Sequence, residues 1–571
     1  MPLTVPGLLR VRAGREPQRV AIMDSTGRSL TFAAWHRDAQ AIARSLSSRG
    51  VRRGARVALL YGDDWCGYAV AFCGVVAAGA AAIPVSASLP AAQVHGVLRR
   101  VGASAVLHQG ELPPPDGTWW STPGADLAVA GLSLVDQPVN APDPDDVAQI
   151  VCTSGSTGVP KDVAASHANL CHGQVLNPRP RRYAHSQAMV HAFPIGTNAG
   201  QMMLIEVLTA APTLLCAGRF DADQFCGLID QHRTGTVFLV PSMAAELLRS
   251  GAHRRYDLSC VQLLSSSAAA LPPATARGLA EAFPRAVLVN YYTSTEAVPA
   301  QISMIVDPDR PEALGRPVSH RDLRITDDQG HELPPGEVGE VWLRSDAPPR
   351  SYLGDPSGSA AVFRNGWVRM GDLGRLDSDG YLILVDRESD IIKSGALKVS
   401  TLRIEAALLE HPAVAEAAAV GLPHPVMGAV PAAVVRLDCP VDMDEVRDFL
   451  SARLSRAELP VRLLVVDQLP RNPTGKPIKP DIRRLLDLPT RKDPSASAPA
   501  ATVADPFGRS FMSTFAADPG LSGDPAAGPG AATGVPVGAG PAAMADPFSR
   551  SHLTALATDP AVTERSHDER E

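Results

Sequence analysis

The hydrophobic and polar positions of about the first 145 residues switch between two periods. Apolar residues recur at helical spacing over residues 30–48 and again over residues 68–78. Short apolar runs at residues 57–61 and 81–85 follow these segments and are typical of buried strands. Strands that alternate with helices at this spacing predict a doubly wound α/β sheet.

The same rhythm continues with strands predicted at residues 237–240, 261–264 and 287–289. From about residue 313 to residue 384, shorter strand patterns alternate with Gly and Pro turns, which predicts an all-β section. A smaller α+β pattern then extends to about residue 486. The predicted fold class is therefore α/β, with a large N-terminal domain of doubly wound sheets and a small β-barrel-like section, then a small, mobile α+β C-terminal domain.

Three domains are predicted, at residues 1–386, 387–489 and 490–571. The last segment is dominated by Ala, Pro, Gly, Ser and Asp, a composition that predicts a disordered tail because it cannot bury enough apolar surface. It contains an Asp-Pro-Phe repeat at residues 504–510 and 545–551, in which Asp505 and Asp546 have the character of helix N-caps. Two short amphipathic helices predict docking motifs for another protein or for the catalytic body. The alternative is a duplicated tail without function.

Composition narrows the class of protein. Apolar residues make up 45% and charged residues 20% of the 571 positions, as in ordinary globular proteins. The net charge of −7 provides no basic field for nucleic acid. No apolar run approaches the roughly 18 residues of a membrane span. The eight cysteines have no C-x-x-C or metal-like spacing, so we expect a reducing, cytoplasmic location.

Residues 151–161 hold the strongest chemical signal. An apolar run predicts a buried strand, and a loop rich in glycine and hydroxyl residues follows it. Glycines allow backbone N–H groups to face an anion, and hydroxyls and an ammonium add directed donors. The pattern indicates a polyphosphate site but not a Walker A loop. Its candidate ligands are Thr153, Ser154, Gly155, Ser156, Thr157, Gly158 and Lys161.

Four further segments join this loop, at residues 291–296, 367–372, 386–393 and 470–476. Together and in this order, the five motifs resemble the core motifs of the adenylate-forming superfamily. That superfamily includes acyl-CoA synthetases, peptide-synthetase adenylation domains and luciferases. The resemblance extends from about residue 30 to residue 484. Each motif alone is weak, but five in the family's order form a strong signal.

The resemblance implies an ATP and Mg²⁺ site. Thr153, Ser154, Thr157 and Lys161 would surround the β- and γ-phosphates, Thr295 would contact the α-phosphate, and Glu296 would be the metal ligand. Tyr292, next to Tyr291 and Thr293, would stack on adenine. The backbone at Ser267, Ala268 and Ala269 would lie on the other side of the adenine ring.

The remaining implied residues surround the ribose and the reacting atoms. Asp372 would accept the ribose hydroxyls, and Arg387 would donate on the ribose side. Lys476, from the small domain, would bridge the substrate carboxylate and the α-phosphate. A fixed ammonium there would stabilise the charge that accumulates during displacement of pyrophosphate. The predicted catalytic residues are thus Lys476, Thr295, Glu296 and Lys161.

Several positions depart from the family pattern on the nucleotide side. Asp162 replaces the glycine that usually follows Pro-Lys, and it could pair with Lys161 and weaken its hold on phosphate. Thr293 and Ser267 replace glycines near adenine. These two changes add small side chains that the site can tolerate.

A second group of departures concerns delivery of a thiol. Ser389 occupies the hinge position, where Asp or Lys is usual, and Ala396 replaces a glycine on the pantetheine side. Thr401 stands at the usual proline, although Glu405 matches the family, and Gly196-Thr197 replaces an aromatic or His gate. Drift at permissive positions would leave an ordinary thioester-forming ligase, which we favour. The alternative is a non-thiol acceptor such as an amine.

The acid pocket is expected between residues 194–201, 237–243 and 265–292. Residues 193–197 lack the carboxylate that would hold an ammonium, so an α-amino acid is disfavoured, because an unpaired ammonium in an apolar pocket is costly. A carboxylic acid with an apolar or aromatic body fits better. The candidate pocket residues are Pro194, Gly196, Thr197, Val240 and Met243.

The predicted function is ATP-dependent activation of a carboxylic acid as acyl-AMP, with transfer of the acyl group to CoA or to a phosphopantetheine thiol of a carrier protein. One alternative is an adenylating enzyme with a nitrogen acceptor or a non-carboxylate oxyanion. Another is an inactive nucleotide-binding scaffold that acts through its tail. Retention of Lys476 argues against the scaffold, which would not need that loop.

Overall fold

The computed structural model describes residues 3–110, 119–134, 139, 141–153, 160–175, 181–317, 319–395, 397–471 and 476–487. The phosphate-loop residues Ser154, Gly155, Ser156, Thr157 and Gly158 lie outside this set, as do Ala396 and the predicted tail with its repeats. In the described part, no helix has the length and apolarity needed to cross a membrane.

The α-helices of the described residues are, in chain order, α1 (Val5–Arg15), α2 (Phe32–Ser48), α3 (Trp65–Ala77), α4 (Ala91–Val101), α5 (Gly124–Leu132), α6 (His167–Leu170), α7 (Asn198–Glu206), α8 (Ala222–Gln231), α9 (Pro241–Ser250), α10 (Pro273–Ala282), α11 (Pro356–Val362), α12 (Thr401–Leu409), α13 (Met443–Ser451) and α14 (Lys479–Asp487). Short 3₁₀ turns occur at Ala252–Arg254 and His320–Asp322.

The strands up to residue 305 are β1 (Val20–Asp24), β2 (Ser29–Thr31), β3 (Arg56–Tyr61), β4 (Ala81–Ser86), β5 (Ala105–His108), β6 (Trp120–Pro123), β7 (Val147–Thr153), β8 (Lys161–Ser166), β9 (Ala188–His191), β10 (Thr213–Cys216), β11 (Thr236–Leu239), β12 (Leu263–Ser266), β13 (Val287–Tyr292) and β14 (Ile302–Ile305). Those that follow are β15 (Ala313–Gly315), β16 (Leu323–Thr326), β17 (Gly339–Arg344), β18 (Ser351–Tyr352), β19 (Phe363–Arg364), β20 (Trp367–Leu376), β21 (Leu382–Arg387), β22 (Ile392–Ser394), β23 (Leu397–Val399), β24 (Val414–His424), β25 (Gly428–Leu437) and β26 (Arg462–Val465).

Two mostly parallel sheets build the N-terminal part. One has the order β14-β13-β12-β11-β9-β10-β1-β2, with antiparallel strands at both edges. The other has the order β18-β8-β7-β4-β3-β5-β6, and its strands β8 and β18 are antiparallel to their neighbours. Consecutive parallel strands need crossover connections, and helices provide most of them.

Helix α3 lies in the apolar core shared by these two sheets. All its residues except Gly67 are buried, which is expected of a helix that is apolar on every side. Its Trp65 and Phe72 pack in the same cluster as Ile22 of the first sheet and Val57 of the second. This core holds the two sheets together beneath the strand ends that carry the candidate site.

An antiparallel sheet follows, in the order β15-β21-β20-β17-β16, with β19 added beside β20. Strand β25 then forms the centre of a smaller sheet, in which it pairs with β24, β22 and a parallel β26, and β23 pairs with β22. Helices α12 and α14 contribute Ile404 and Ile482 to apolar clusters on this sheet. The C-terminal part is thus α+β, as predicted.

The fold class expected from the sequence is confirmed, with small differences at the ends of elements. The predicted strand at residues 261–264 begins two residues later, at Leu263. Helix α11 interrupts the section predicted to be all-β, because Asp355 caps it and Pro356 occupies its first turn. The domain boundary at residue 387 stays a prediction; β21 ends at Arg387, and β22 begins at Ile392.

Candidate active site

The ends of parallel strands bring the predicted nucleotide-binding and acid-pocket segments to one edge of the first sheet. Strands β9, β11, β12 and β13 run in parallel, so the residues after their carboxyl ends meet at that edge. Phe193, Val240 and Ser267 follow three of these strands, and Tyr292 ends the fourth. A parallel sheet therefore assembles there segments that are about a hundred residues apart in the chain.

Tyr292 and Asp372 form the best-defined contact of the candidate site. The Tyr292 hydroxyl donates to Asp372 Oδ2 across 2.6 Å, and Arg387 Nε lies 3.6 Å from Asp372 Oδ1. Strands β20 and β21 hold the last two residues in direct register. Burial raises the pKa of Asp372, whereas Arg387 and the Tyr292 hydroxyl lower it. Burial also raises the pKa of Tyr292, which keeps its hydroxyl a donor.

Lys476 lies within electrostatic range of three of these predicted residues. Burial, and then the neighbouring Arg387, lower the pKa of its ammonium to about 8, while Asp372 and Glu296 act to raise that pKa. The structure therefore brings Lys476, from the C-terminal part, together with residues of β20, β21 and the loop after β13. This is the grouping that the resemblance implied.

Lys161 and Glu296 are joined by a residue that the sequence analysis missed, Tyr352. The Lys161 ammonium lies 4.5 Å from the centre of the Tyr352 ring and 3.5 Å from its hydroxyl oxygen. The Tyr352 hydroxyl donates to Glu296 Oε1 across 3.0 Å. Thr153, at the end of β7, donates its hydroxyl to the Lys161 carbonyl across 3.2 Å.

Asp162 does not pair with Lys161, so that expectation was wrong. Its carboxylate is buried and accepts two hydrogen bonds from Arg100, one from Nε at 2.7 Å and one from Nη2 at 2.9 Å. Successive residues of a strand point to opposite faces, which separates the Asp162 carboxylate from the Lys161 ammonium on β8. The sequence showed the change from the family's glycine to aspartate, but it did not show that Arg100 pairs with this aspartate.

Arg350 is a second residue that the sequence analysis missed. Its side chain is buried, and its Nη1 donates to the Thr295 carbonyl across 2.8 Å and to Asn198 Oδ1 across 2.9 Å. Its Nε donates to Asn169 Oδ1 across 3.0 Å. Arg350 and Tyr352 occupy a short segment after two prolines, and only its pairing with β8 reveals their place in the site.

The predicted adenine side has an unusual backbone conformation and two unsatisfied polar atoms. Ala268 has a φ of 73°, which L-residues other than glycine rarely adopt. Ser266 Oγ and Asn290 Oδ1 are buried and have no hydrogen-bond partner among the described residues. Ser267 is half-buried after β12, and Ala269 is exposed. Burial raises the pKa of Tyr291 to about 12.

Thr293 uses its hydroxyl within the protein. It donates to the Ala300 carbonyl across 2.7 Å, so the side chain is held against the backbone at Ala300. The substitution of the family's glycine at this position is therefore accommodated by a backbone acceptor. That the nucleotide site tolerates Thr293 stays a prediction.

Two of the acid-pocket candidates, Val240 and Met243, lie in or against one apolar cluster. Val240 is buried in the cluster that contains Phe193 and Ile195, and Met243 packs against it. Pro194 and Gly196 are half-buried, and a side chain at Gly196 would meet Ser86 at about 3.4 Å.

Thr197 has a structural task that the sequence analysis did not foresee. Its hydroxyl donates to the Pro194 carbonyl across 2.7 Å and accepts from the Gly200 N–H across 3.1 Å, so it caps α7. Its polar atom is therefore used within the segment.

A charged network surrounds the predicted hinge. Lys479 Nζ lies 3.0 Å from Asp390 Oδ2 and 3.8 Å from Glu405 Oε1, and it donates to Thr401 Oγ1 across 2.8 Å. Asp386 accepts from the Thr401 N–H at 2.5 Å and from its hydroxyl at 2.9 Å. The family's usual proline could not make the first of these bonds, since it has no N–H. Ser389 contacts Asp390 across 3.4 Å.

The donors and acceptors fit a magnesium–nucleotide complex. In the described part of the chain, no group of three or more His, Cys, Asp or Glu side chains could hold a metal ion. A single carboxylate, Glu296, suits Mg²⁺, which commonly takes one or two carboxylates and completes its shell with phosphates and water. The buried acceptor Asn290 Oδ1 suits an amino group such as that of adenine.

Comparisons with known proteins agree with this geometry. Residues 9–353 match the family described as AMP-binding enzyme, and residues 403–476 match its C-terminal domain. A feruloyl-CoA synthase of Amycolatopsis sp is 31% identical over 490 residues, which span 83% of this chain and 97% of that protein.

Two solved structures extend the likeness to three dimensions. Each covers 85% of this chain. The ATP-bound MatB from Rhodopseudomonas palustris has a TM-score of 0.74 at 25% identity, with 99% of its chain covered. The amide bond synthetase Mcba from Marinactinospora thermotolerans, solved as a lysine-to-alanine mutant, has a TM-score of 0.70 at 26% identity, with its whole chain covered.

Proposed function

This chain belongs to the family of AMP-binding enzymes, and on that premise we propose that it activates an apolar or aromatic carboxylic acid and passes the acyl group to the thiol of CoA. It is an AMP-forming, acyl-activating ligase that uses ATP and Mg²⁺. The proposal adds the class of acid, the acceptor and the roles of individual residues.

The grouping of Lys476 with Asp372, Arg387 and Glu296 carries the proposal. The burial that lowers the pKa of this ammonium also removes the water that would screen its charge. A cation held in such a place stabilises negative charge that develops between a carboxylate and a phosphate. We assign that task to Lys476.

The other residues hold the nucleotide in this proposal. ATP supplies the adenylyl group and pyrophosphate as the leaving group, and Mg²⁺ neutralises phosphate charge. Tyr292 would stack on adenine and fix the Asp372 carboxylate, which would accept the ribose hydroxyls beside Arg387. Lys161 and Thr295 would donate to phosphate oxygens, and Glu296 would hold the metal. The residues of 154–158 are assigned to the same phosphates from the sequence pattern.

The class of acid follows from the polarity of the pocket segments. Val240 and Met243 have apolar side chains, and the Thr197 hydroxyl accepts the hydrogen bond that caps α7. The sequence 193–197 has no carboxylate to pair with an ammonium. An acid with an apolar or aromatic body satisfies these conditions, and the feruloyl-CoA synthase supports an aromatic one.

A second candidate acceptor is an amine. Ser389, Thr401 and Gly196-Thr197 depart from the family's thiol-delivery pattern, and one structural neighbour is an amide bond synthetase.

A carrier-protein thiol as acceptor, a docking role for the tail and a cytoplasmic location stay predictions. The scaffold hypothesis is disfavoured, because a cation buried at the site costs stability that nucleotide binding alone would not require.

Pyrophosphate release across a panel of aromatic, aliphatic and α-amino acids tests the proposal. We expect release with aromatic or aliphatic acids and stimulation by CoA. Lys476→Ala should lower the rate at least about a hundredfold, whereas Lys398→Ala, which removes an exposed lysine of β23, should not. Stimulation by arylamines instead of CoA would favour the amine acceptor. Absence of release with every acid would overturn the proposal.

A further inference from the structure

The two-residue strand β18 and the arginine before it reach the Thr295–Glu296 corner. Tyr352 pairs with Val163 and Ser351 with Ala164, so the segment extends the sheet that contains Lys161. Side chains two apart in an extended strand share a face. Accordingly, Arg350 binds the Thr295 carbonyl and Tyr352 binds the Glu296 carboxylate.

Tyr352 stands between a cation and an anion. Lys161 Nζ lies 3.5 Å from its oxygen and 4.5 Å from its ring centre, and its own proton goes to Glu296 Oε1 at 3.0 Å. Burial and the neighbouring Glu296 raise the pKa of Tyr352 well above its usual range, so it remains a donor. Hydrogen bonds arranged in series in this way strengthen one another.

Arg350 supports the same corner from its other side. It binds Asn169 of α6, Asn198 of α7 and the Thr295 carbonyl, so it ties three segments together. Burial lowers its pKa to about 10, and Glu296 acts in the opposite direction. Its Nη2 has no hydrogen-bond partner within the described residues. A buried guanidinium with so many bonds makes the corner stiff.

We propose that Tyr352 is a positioning residue of the nucleotide site, which fixes the Glu296 carboxylate for Mg²⁺ and holds the Lys161 ammonium beside the place of the phosphates. This inference rests on the proposed function, because it assumes that Glu296 and Lys161 act on the magnesium–nucleotide complex. Glu296 Oε1 accepts from Tyr352, and this bond would orient the carboxylate that would hold the metal. Tyr352 acts through these two side chains.

The two halves of this role can be separated by substitution. Tyr352→Phe keeps the ring beneath Lys161 and removes the donor to Glu296. Tyr352→Leu removes both the ring face and the donor. Tyr256 offers a matched control, because its hydroxyl also donates to a carboxylate, that of Asp223 at 2.9 Å, on the protein surface.

Equilibrium binding of ATP to the full chain, with Mg²⁺ and with EDTA, tests the inference by calorimetry. Tyr352→Phe should weaken binding of MgATP about tenfold, because Glu296 loses its donor. It should change binding of metal-free ATP less than about twofold, because the ring beneath Lys161 is kept and the contact that Lys161 Nζ loses is long, at 3.5 Å. Tyr352→Leu should weaken both forms. Tyr256→Phe should leave both dissociation constants at the wild-type values.

The outcomes distinguish this inference from the proposed function. Equal weakening of MgATP and metal-free ATP by Tyr352→Phe would overturn it, as would wild-type affinity for both. A wild-type protein that binds MgATP and releases pyrophosphate would still leave the proposed function intact in those cases. Failure of the wild-type protein to bind MgATP would overturn both. Thermal unfolding of each variant checks that the fold is kept.

Discussion

Asp162 and Arg100 form a two-pronged ion pair on the face of β8 opposite the predicted phosphate site. The bonds are 2.7 and 2.9 Å long, and the Asp162 side chain is 6% exposed. Although Asp162 directly follows Lys161 in the chain, its charge is neutralised elsewhere. The acidic residue in place of the family's glycine therefore pairs with Arg100 and not with Lys161, the proposed phosphate ligand.

Asp162→Asn separates these two roles. The substitution removes the negative charge from a largely buried pair and should lower the free energy of unfolding by about 1–3 kcal/mol. The KM for ATP should change less than about twofold, because Lys161 does not contact this carboxylate. Urea denaturation and pyrophosphate-release kinetics measure the two quantities. A clear fall in the KM for ATP would instead show that Asp162 weakens phosphate binding.

Tyr292→Phe tests the contact with Asp372. The variant keeps the ring but loses the donor at 2.6 Å, and the lost hydrogen bond leaves the buried Asp372 carboxylate with a higher pKa. We expect the KM for ATP to rise about tenfold. Tyr292→Ala should raise it further, since stacking is lost as well. Tyr381→Phe, in the turn between β20 and β21, is the control. An unchanged KM in Tyr292→Phe would contradict a role for this contact in nucleotide binding.

The pKa of Lys476 predicts how activity depends on pH. A lysine with a pKa near 8 loses its charge as the pH rises above that value. For the free enzyme, kcat/KM should therefore fall about tenfold per pH unit above about pH 8. Bound phosphates attract the proton, so kcat should stay level to a higher pH. Pyrophosphate release measured from neutral to strongly alkaline pH follows both quantities.

Lys476→Arg is the control for this pH dependence. Its guanidinium remains charged over the whole range, so the alkaline decline in kcat/KM should disappear even if the rate is lower. Arg387, Asp372 and Glu296, which surround Lys476, are unchanged in this variant. A decline that persists in Lys476→Arg would assign it to another group.

The sequence predicted the elements and the members of the site better than their contacts. Helical and strand periods identified α2, α3, β3 and β4, because each buries a regular apolar face. Motif order identified Tyr292, Asp372 and Lys476. Arg350 and Tyr352 were not predicted, because a two-residue strand has no measurable hydrophobic period. In addition, its partner strand β8 lies almost two hundred residues earlier in the chain. Long-range pairing of this kind is not visible in local pattern.

At the substituted positions, the sequence likewise did not predict the contacts that the side chains make. Asp162 was assigned to its neighbour Lys161, but strand alternation turned it towards Arg100 of α4. Thr197 was predicted as a pocket residue in place of a larger gate, and its hydroxyl caps α7. Thr401 replaces the family's proline, and its N–H donates a hydrogen bond to Asp386. Asp162 and Thr401 each acquired a partner that only the folded chain brings close, whereas the partners of Thr197 are local.

Glu405 gives a prediction about stability. Its half-buried side chain lies beside Lys479, Asp386 and Asp390, and loss of water around its carboxyl raises its pKa from 4.5 to about 7. The folded state therefore holds a proton that the unfolded state releases between pH 4.5 and pH 7, so the free energy of unfolding falls as the pH rises through that window. The full effect is about 3 kcal/mol.

Glu405→Gln cannot titrate and should abolish this decline, as measured by urea denaturation at about pH 5 and about pH 8. Glu410→Gln, which removes an exposed partner of Arg453, should keep it. An equal decline in wild type and Glu405→Gln would show that the loss of stability arises elsewhere.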